Sequence, residues 1–300
     1  MSASSSSMVD PNFIYKRILT YAVLVLLAYV FLFPLLFMVI SSFKPQQQIF
    51  TDLYSIRALL PVGEVSLDNY RAVFRKSAIE TMFLNSVIIT GTTVVLGLLV
   101  NSLAAFALSR LRWKGQQLML TLVIALLIIP FEAISVPLLM LVAHLPWVGW
   151  ENGQFVLHGS WLNSLQVQIL PMVANAFSIF LFYQFFRDIP KDFDEAAAID
   201  GASPWQIYWK VIVPMSWPVF ATVAILQFLH MWNQYLWPIM VVQGEAARPL
   251  QPGIQQFFGT TTEWGEIMAY ASMVTVPVLI VFLAFQKRFV RSMASAGVKG

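Results

Sequence analysis

No charged residue stands between Arg17 and Lys44, and none between Glu80 and Arg110. A segment crosses the hydrocarbon core of a bilayer with about 20 apolar residues. Six stretches of this chain meet that length: 19–40, 82–108, 117–141, 163–186, 217–241 and 267–285. Only the third contains an acid, Glu132. Such runs fit an all-α membrane protein of six transmembrane helices. Charge is correspondingly scarce, at 11% of the 300 residues, against about 25% in soluble domains. The chain has no cysteine, which excludes disulfides and thiolate chemistry.

Lysine and arginine set the orientation, because they collect on the cytoplasmic side. With both termini inside, the inner segments hold Lys16, Arg17, Arg110, Arg112, Lys114, Arg187, Lys191, Lys210, Lys287, Arg288, Arg291 and Lys299. The outer loops hold half as many: Lys44, Arg57, Arg71, Arg75, Lys76 and Arg248. The net charge of +3 is explained by this bias and calls for no nucleic-acid partner. The expected organisation is a disordered cytoplasmic tail over 1–17, a six-span domain over 18–288 and a cytoplasmic tail over 289–300. Loops 45–79, 142–162 and 242–266 fall outside, and Trp147, Trp150 and Trp161 sit in or beside the second as interface aromatics. Seven prolines lie in or at the ends of the spans. Each removes a backbone donor, which is tolerated where neighbours satisfy the freed carbonyl.

The cytoplasmic loop 187–216 has a structure of its own. The stretch from Pro190 to Asp200 reads as a short helix, with Asp192, Asp194 and Glu195 at its positive end and Ala196, Ala197 and Ala198 as small, strong helix formers. Gly201 stops it. A second helix follows, with Ser203 as N-cap, Pro204 at the first position and Gln206 three residues after the cap; it closes at Pro214. Phe193, Ala196 and Ala197 share one face of the first helix, and Trp205, Tyr208 and Trp209 give the second an aromatic face. Read alone, this is either an amphipathic loop resting on the membrane or a docking element for a soluble partner.

The stretch EAAAIDGASPWQIYWKVIVP resembles the EAA loop found in the membrane subunits of binding-protein-dependent ABC importers. The family's pattern falls on Glu195, Ala196, Ala197, Gly201, Ile212 and Pro214. WNQYLWP, from Trp232 to Pro238, is similar to a segment of the carbohydrate-uptake branch, with Gln234 where glutamate is usual. The ending FVRSMASAGVKG resembles the tail of maltose-permease-type subunits. The resemblance implies a type I ABC importer-like fold and a site in the cytoplasmic membrane of a bacterium or archaeon. Its partners would be a second membrane permease subunit, two ATPase subunits and an extracytoplasmic solute-binding protein that delivers a sugar. Asp194, Glu195, Ala196, Ala197, Asp200, Gly201 and Pro214 would form the ATPase-docking element, and the Val298–Gly300 tail would also touch the ATPases. No cofactor would be bound by this chain; ATP and magnesium belong to the ATPase. The chain indeed contains no Gly-x-x-x-x-Gly-Lys-Ser/Thr phosphate loop, and His144, His158 and His230 stand far apart in sequence.

The solute path is less sharply written. Intramembrane ionisable residues are functional candidates, which singles out Glu132. Planar amides and aromatic faces suit sugars, so Asn175 and Gln184 in the fourth span and Gln227, His230, Trp232, Asn233 and Tyr235 in the fifth are further candidates. Each polar group serves equally well as a bond between helices. An ion-coupled secondary transporter is the competing class; it would show paired intramembrane acids or an inverted repeat, and neither is evident. Within the importer class, a non-sugar solute is the alternative.

Overall fold

The computed structural model describes residues 11–151, 153–259 and 262–297. In chain order its elements begin with α1 (Pro11–Ser41), α2 (Gln46–Asp52), a 3-10 turn (Ile56–Leu59) and α3 (Asp68–Lys76). Then come α4 (Ile79–Ser109), α5 (Gln116–Leu126), α6 (Phe131–Ala143), strands β1 (Trp147–Glu151) and β2 (Gln154–His158), α7 (Gln166–Val173) and α8 (Ala176–Asp188). The loop region follows with α9 (Asp192–Ile199), α10 (Pro204–Ile207), a wide helical turn (Tyr208–Ile212) and α11 (Val213–Met215). The chain closes with α12 (Trp217–Trp232), α13 (Leu236–Val241), α14 (Leu250–Gly253), a 3-10 turn (Ile254–Phe257) and α15 (Trp264–Gly297). Helix α1 begins at Pro11, so residues 11–17 are helical and not part of a disordered tail. Val298–Gly300 lies outside the described residues.

Four segments are long and apolar enough to cross a membrane unaided: Tyr15–Ser41, Ile79–Ser109, Gln166–Asp188 and Trp264–Phe285. Two bent pairs raise the number to six if each is one span: Gln116–Leu126 with Phe131–Ala143, bent by 105°, and Pro204–Met215 with Trp217–Trp232, bent by 80°. The third expected span is therefore no straight helix. Pro130 cannot donate to the Leu126 carbonyl and pushes its predecessor out of the helical region; α5 ends at Leu126. The fifth also departs from the expected 217–241. Pro238 removes the bond to the Gln234 carbonyl, α12 stops at Trp232 after 16 residues, and α13 starts at Leu236.

The chain forms two compact units, one of the residues up to Lys76 with Gln256–Met273, the other of Ser77–Gln255 with the chain from Val274. In the first, a buried lysine organises the segment after α1. Lys44 Nζ lies 3.0 Å from Asp52 Oδ2 and donates to the Arg57 carbonyl at 2.6 Å. Asn69 donates to the Ser42 and Lys44 carbonyls, each at 2.9 Å. Lys76 pairs with both oxygens of Glu266 at 2.6 and 2.8 Å. The bonds to Asp52 and Arg57 replace the water that the buried Lys44 ammonium gives up.

In the second unit α4 is the central helix. Its buried side is small and polar: Ser86, Thr90, Thr93, Gly97, Asn101 and Ser102 recur at helical spacing. Small residues let helices approach closely in a membrane. Gly97 shows how closely: a Cβ there would fall 2.1 Å from Gln227 Nε2 on α12. Polar side chains also mend broken backbone. Pro171 within α7 frees the Val167 carbonyl, and the buried Trp237 Nε1 donates to it at 2.8 Å. At the break between α7 and α8, Asn101 donates to the Val173 carbonyl at 3.0 Å and accepts from Asn175 N at 2.9 Å.

Candidate coupling segment and transport face

Helix α9 ends in a Schellman motif. Ala202 N donates to the Ala197 carbonyl at 2.9 Å and Gly201 N to the Ala198 carbonyl at 3.0 Å, while Gly201 takes φ +80°. That conformation costs an L-residue and suits glycine. The next helix opens with the capping box expected from sequence: Gln206 N donates to Ser203 Oγ and Ser203 N to Gln206 Oε1. Two helices thus meet across Gly201 and Ala202 with their end groups largely satisfied.

Two anchors fix this segment to α4. Arg110, with only 3% of its side chain exposed, stands 3.0 Å from Asp194 Oδ2. It also donates to the Phe186 carbonyl and, at 2.8 Å, to that of Ile189. Burial pushes the Asp194 carboxyl above the ordinary carboxylate range, and the Arg110 guanidinium offsets part of that rise. The second anchor is Tyr208, buried against Phe106 with ring centroids 5.3 Å apart. Its hydroxyl shares a 2.7 Å hydrogen bond with Ser102 Oγ. The expected aromatic face is therefore split. Tyr208 turns into the core, while Trp205 and Trp209 remain exposed.

The outward side of the segment is apolar. Ile199 is 87% exposed, Trp205 58% and Phe193 47%. Glu195, Ala196 and Asp200 are exposed, as are Gly201 and Pro214, and Ala197 is half-buried. Asp194 stands apart from these residues, because its carboxylate faces Arg110. Arg110, Ser102 and the inward role of Tyr208 were missed in the sequence. Arg110 entered there only as a mark of orientation, and nothing local shows that a side chain at the end of α4 reaches a residue so far along the chain.

The candidate path residues divide into two groups. Asn175 is the N-cap of α8, accepting from Ser178 N at 2.9 Å. Gln227 is buried and donates to the Thr93 carbonyl at 3.0 Å. Trp232 is buried and donates to the Val274 carbonyl at 3.1 Å. These three serve the packing of helices. The exposed group gathers where α12 breaks. His230 lies 3.4 Å from Gln234, Asn233 accepts from Gln251 at 3.2 Å, and the Tyr235 hydroxyl accepts from Gln255 at 2.6 Å. Gln251 and Gln255 join this polar edge from α14 and the turn after it. Gln184 is exposed on α8. Glu132 is exposed in the first turn of α6, where the helix dipole favours an acid. Among the described residues no group of three or more His, Cys, Asp or Glu is placed to hold a metal ion.

A bundle with small, polar helix faces, proline-broken spans and a staked loop between α8 and α12 defines a membrane transport component. The chain belongs to the family described as binding-protein-dependent transport system inner membrane component, whose model matches residues 93–295. It is 32% identical to the arabinooligosaccharides transport system permease protein AraQ of Halalkalibacterium halodurans, over 91% of this chain and 93% of that one. It is 32% identical to the lactose transport system permease protein LacG of Rhizobium radiobacter, over 92% and 94%. It is 34% identical to the trehalose transport system permease protein SugB of Mycobacterium tuberculosis, over 90% and 93%. Among solved structures, a chain of a bacterial ABC transporter involved in the import of the acidic polysaccharide alginate has the same fold. The TM-score is 0.77 at 22% identity, covering 94% of this chain and 99% of that one.

Proposed function

We propose that this chain is a membrane subunit of an ATP-driven, binding-protein-dependent importer of a sugar or oligosaccharide. The supporting observation is full-length likeness to permeases named for arabinooligosaccharides, lactose and trehalose. In this reading both termini are cytoplasmic, and the solute arrives from an extracytoplasmic binding protein. A second permease subunit completes the path. Two separate ATPase subunits bind and hydrolyse ATP with magnesium.

The exposed tip formed by Phe193, Glu195, Ala196, Ala197, Ile199, Asp200 and Gly201 docks an ATPase subunit, with Trp205 and Pro214 beside it. Asp194 works differently from its sequence neighbours, holding the tip against α4 through Arg110. Closure of the ATPases on ATP moves the tip, and the two anchors carry that movement into α4. The exposed polar edge at the break of α12, with His230, Asn233 and Tyr235, faces the solute path together with Gln184 and Glu132. The test is a pull-down from detergent-solubilised membranes combined with uptake in proteoliposomes. An ATPase and a second permease should co-purify with the native chain, and the ATPase should be lost when Glu195, Ala197 and Gly201 are altered together. Uptake of a labelled oligosaccharide should require ATP and the binding protein. An assembly that forms but takes up only a non-sugar solute would keep the transport reading and overturn the sugar.

A further inference from the structure

Strands β1 and β2 form a hairpin between α6 and α7, with register Trp147 to His158, Val148 to Leu157 and Trp150 to Phe155. Its base is fixed to the ends of two helices, α6 and α13. Trp161 N donates to the Val142 carbonyl at 3.0 Å, and Asn163 N to that of Val241 at 2.9 Å. Trp147 Nε1 donates to the Ser160 carbonyl at 3.0 Å. The two faces of the hairpin differ. On one, Trp147 stacks on His158 with centroids 4.5 Å apart, and a Cβ at Gly149 would lie about 3.0 Å from both rings. Those two rings cover Gly149, while Val156 and Gln154 on the same face are exposed. On the other, Val148 is 60% exposed, Phe155 76% and Leu157 73%.

A lone two-stranded hairpin is marginal in water, and stability needs a surface against its apolar face. The hairpin joins the end of α6 to the start of α7, two segments that belong to apolar stretches long enough to span a bilayer. Glu151 is the only Asp, Glu, Lys or Arg between Glu132 and Arg187, so little charge resists close approach to lipid. Tryptophan and other amphipathic or apolar side chains favour the headgroup level. We propose that the hairpin lies along the bilayer surface at which α6 ends and α7 begins, with Val148, Phe155 and Leu157 at the boundary between headgroups and acyl chains. The Trp147–His158 face is turned to water, and the hairpin fixes the height of α6 and α7 in the membrane.

The absence of cysteine allows single-cysteine labelling. Phe155→Cys and Leu157→Cys report the exposed apolar face, and Gln154→Cys and Val156→Cys the other. Each is prepared in the full chain with its native partner subunits, whose own cysteines are replaced, in vesicles of phosphatidylcholine and phosphatidylglycerol. A polarity-sensitive maleimide is attached. Positions 155 and 157 should give blue-shifted emission, strong quenching by lipids carrying a headgroup-proximal nitroxide and weak quenching by iodide; positions 154 and 156 should show the reverse. All four equally open to iodide and untouched by the lipid quencher would overturn the proposal. Shielding of 155 and 157 only on addition of a soluble binding protein would overturn it too, and would give the face a protein partner.

Discussion

Arg110 is nearly closed off from solvent and serves three acceptors from one guanidinium. Its removal leaves the Asp194 carboxylate and the Phe186 and Ile189 carbonyls short of a donor. Hydrogen bonds to charged groups contribute roughly 1.5–3 kcal/mol each, and an orphaned buried group costs a similar amount. Arg110→Ala should therefore raise hydrogen exchange across residues 186–200 and reduce ATP-driven uptake. Asp194→Asn keeps an acceptor toward Arg110 and should cost less; equal effects would show that the carboxylate charge, not the geometry, carries the anchor. Asp52 offers a separate test. Its hydrogen bond to Lys44, helped by that to Gln48, holds its carboxyl below the usual carboxylate range. A depressed acid stabilises the fold above its unfolded pKa, about 3.9 for aspartate, and the contribution fades as pH falls through the folded value. Protection factors over residues 44–62, with exchange corrected for its intrinsic pH dependence, should fall on acidification in the native chain. In Asp52→Asn they should be lower at neutral pH and less sensitive to acid.

Between elements the closest fit is α4 against α12. Gly97→Ala drives a methyl group into Gln227, which must abandon its bond to the Thr93 carbonyl. Overpacking of this kind costs about 1–3 kcal/mol, and thermal unfolding in detergent should show the loss; an unchanged midpoint would mean that the Gln227 side chain swings aside at little cost. Gly201→Val asks a β-branched residue to hold φ +80°, at roughly 1–2 kcal/mol, and should uncouple ATP hydrolysis from uptake while the chain still reaches the membrane. At this scale the legible and the hidden part company. The glycine stop and the capping box were readable because each depends on chemistry within four or five residues. Asn101 bonding across the α7–α8 break and Trp237 closing over Val167 were not readable, because a membrane helix with an internal asparagine looks the same whichever neighbour it meets. The half-buried Gln251 and the exposed Gln255 lay in a loop without any periodic signal. Glu132, conspicuous in sequence as an acid within an apolar run, stands at a helix start, where an acid has an ordinary reason to be.

For the whole molecule, the pattern of apolar runs announced a membrane protein, and the EAA-type loop announced its family. The runs did not announce that two of the expected spans are broken, since hydropathy counts apolar residues without regard to direction. Under the proposed solute path at the break of α12, Tyr235→Ala and Asn233→Ala should raise the KM for uptake severalfold while leaving assembly and basal ATP hydrolysis intact. Gln227→Ala should instead lower thermal stability, with KM unchanged in whatever transporter survives. The reverse pattern would move the path to the buried side of α12.

Ser102 lies in α4 and Arg110 caps its C-terminal end eight residues on, about 12 Å along the helix axis at roughly 1.5 Å per residue. A body held to a shaft by one pin can push it but swivels around the pin. With two separated pins, it can also turn and tilt the shaft. The loop segment grips α4 in the second way, so under the proposed coupling its displacement would act on that helix as a torque. Because α7, α8 and α12 pack against α4, the same crank would turn the four together.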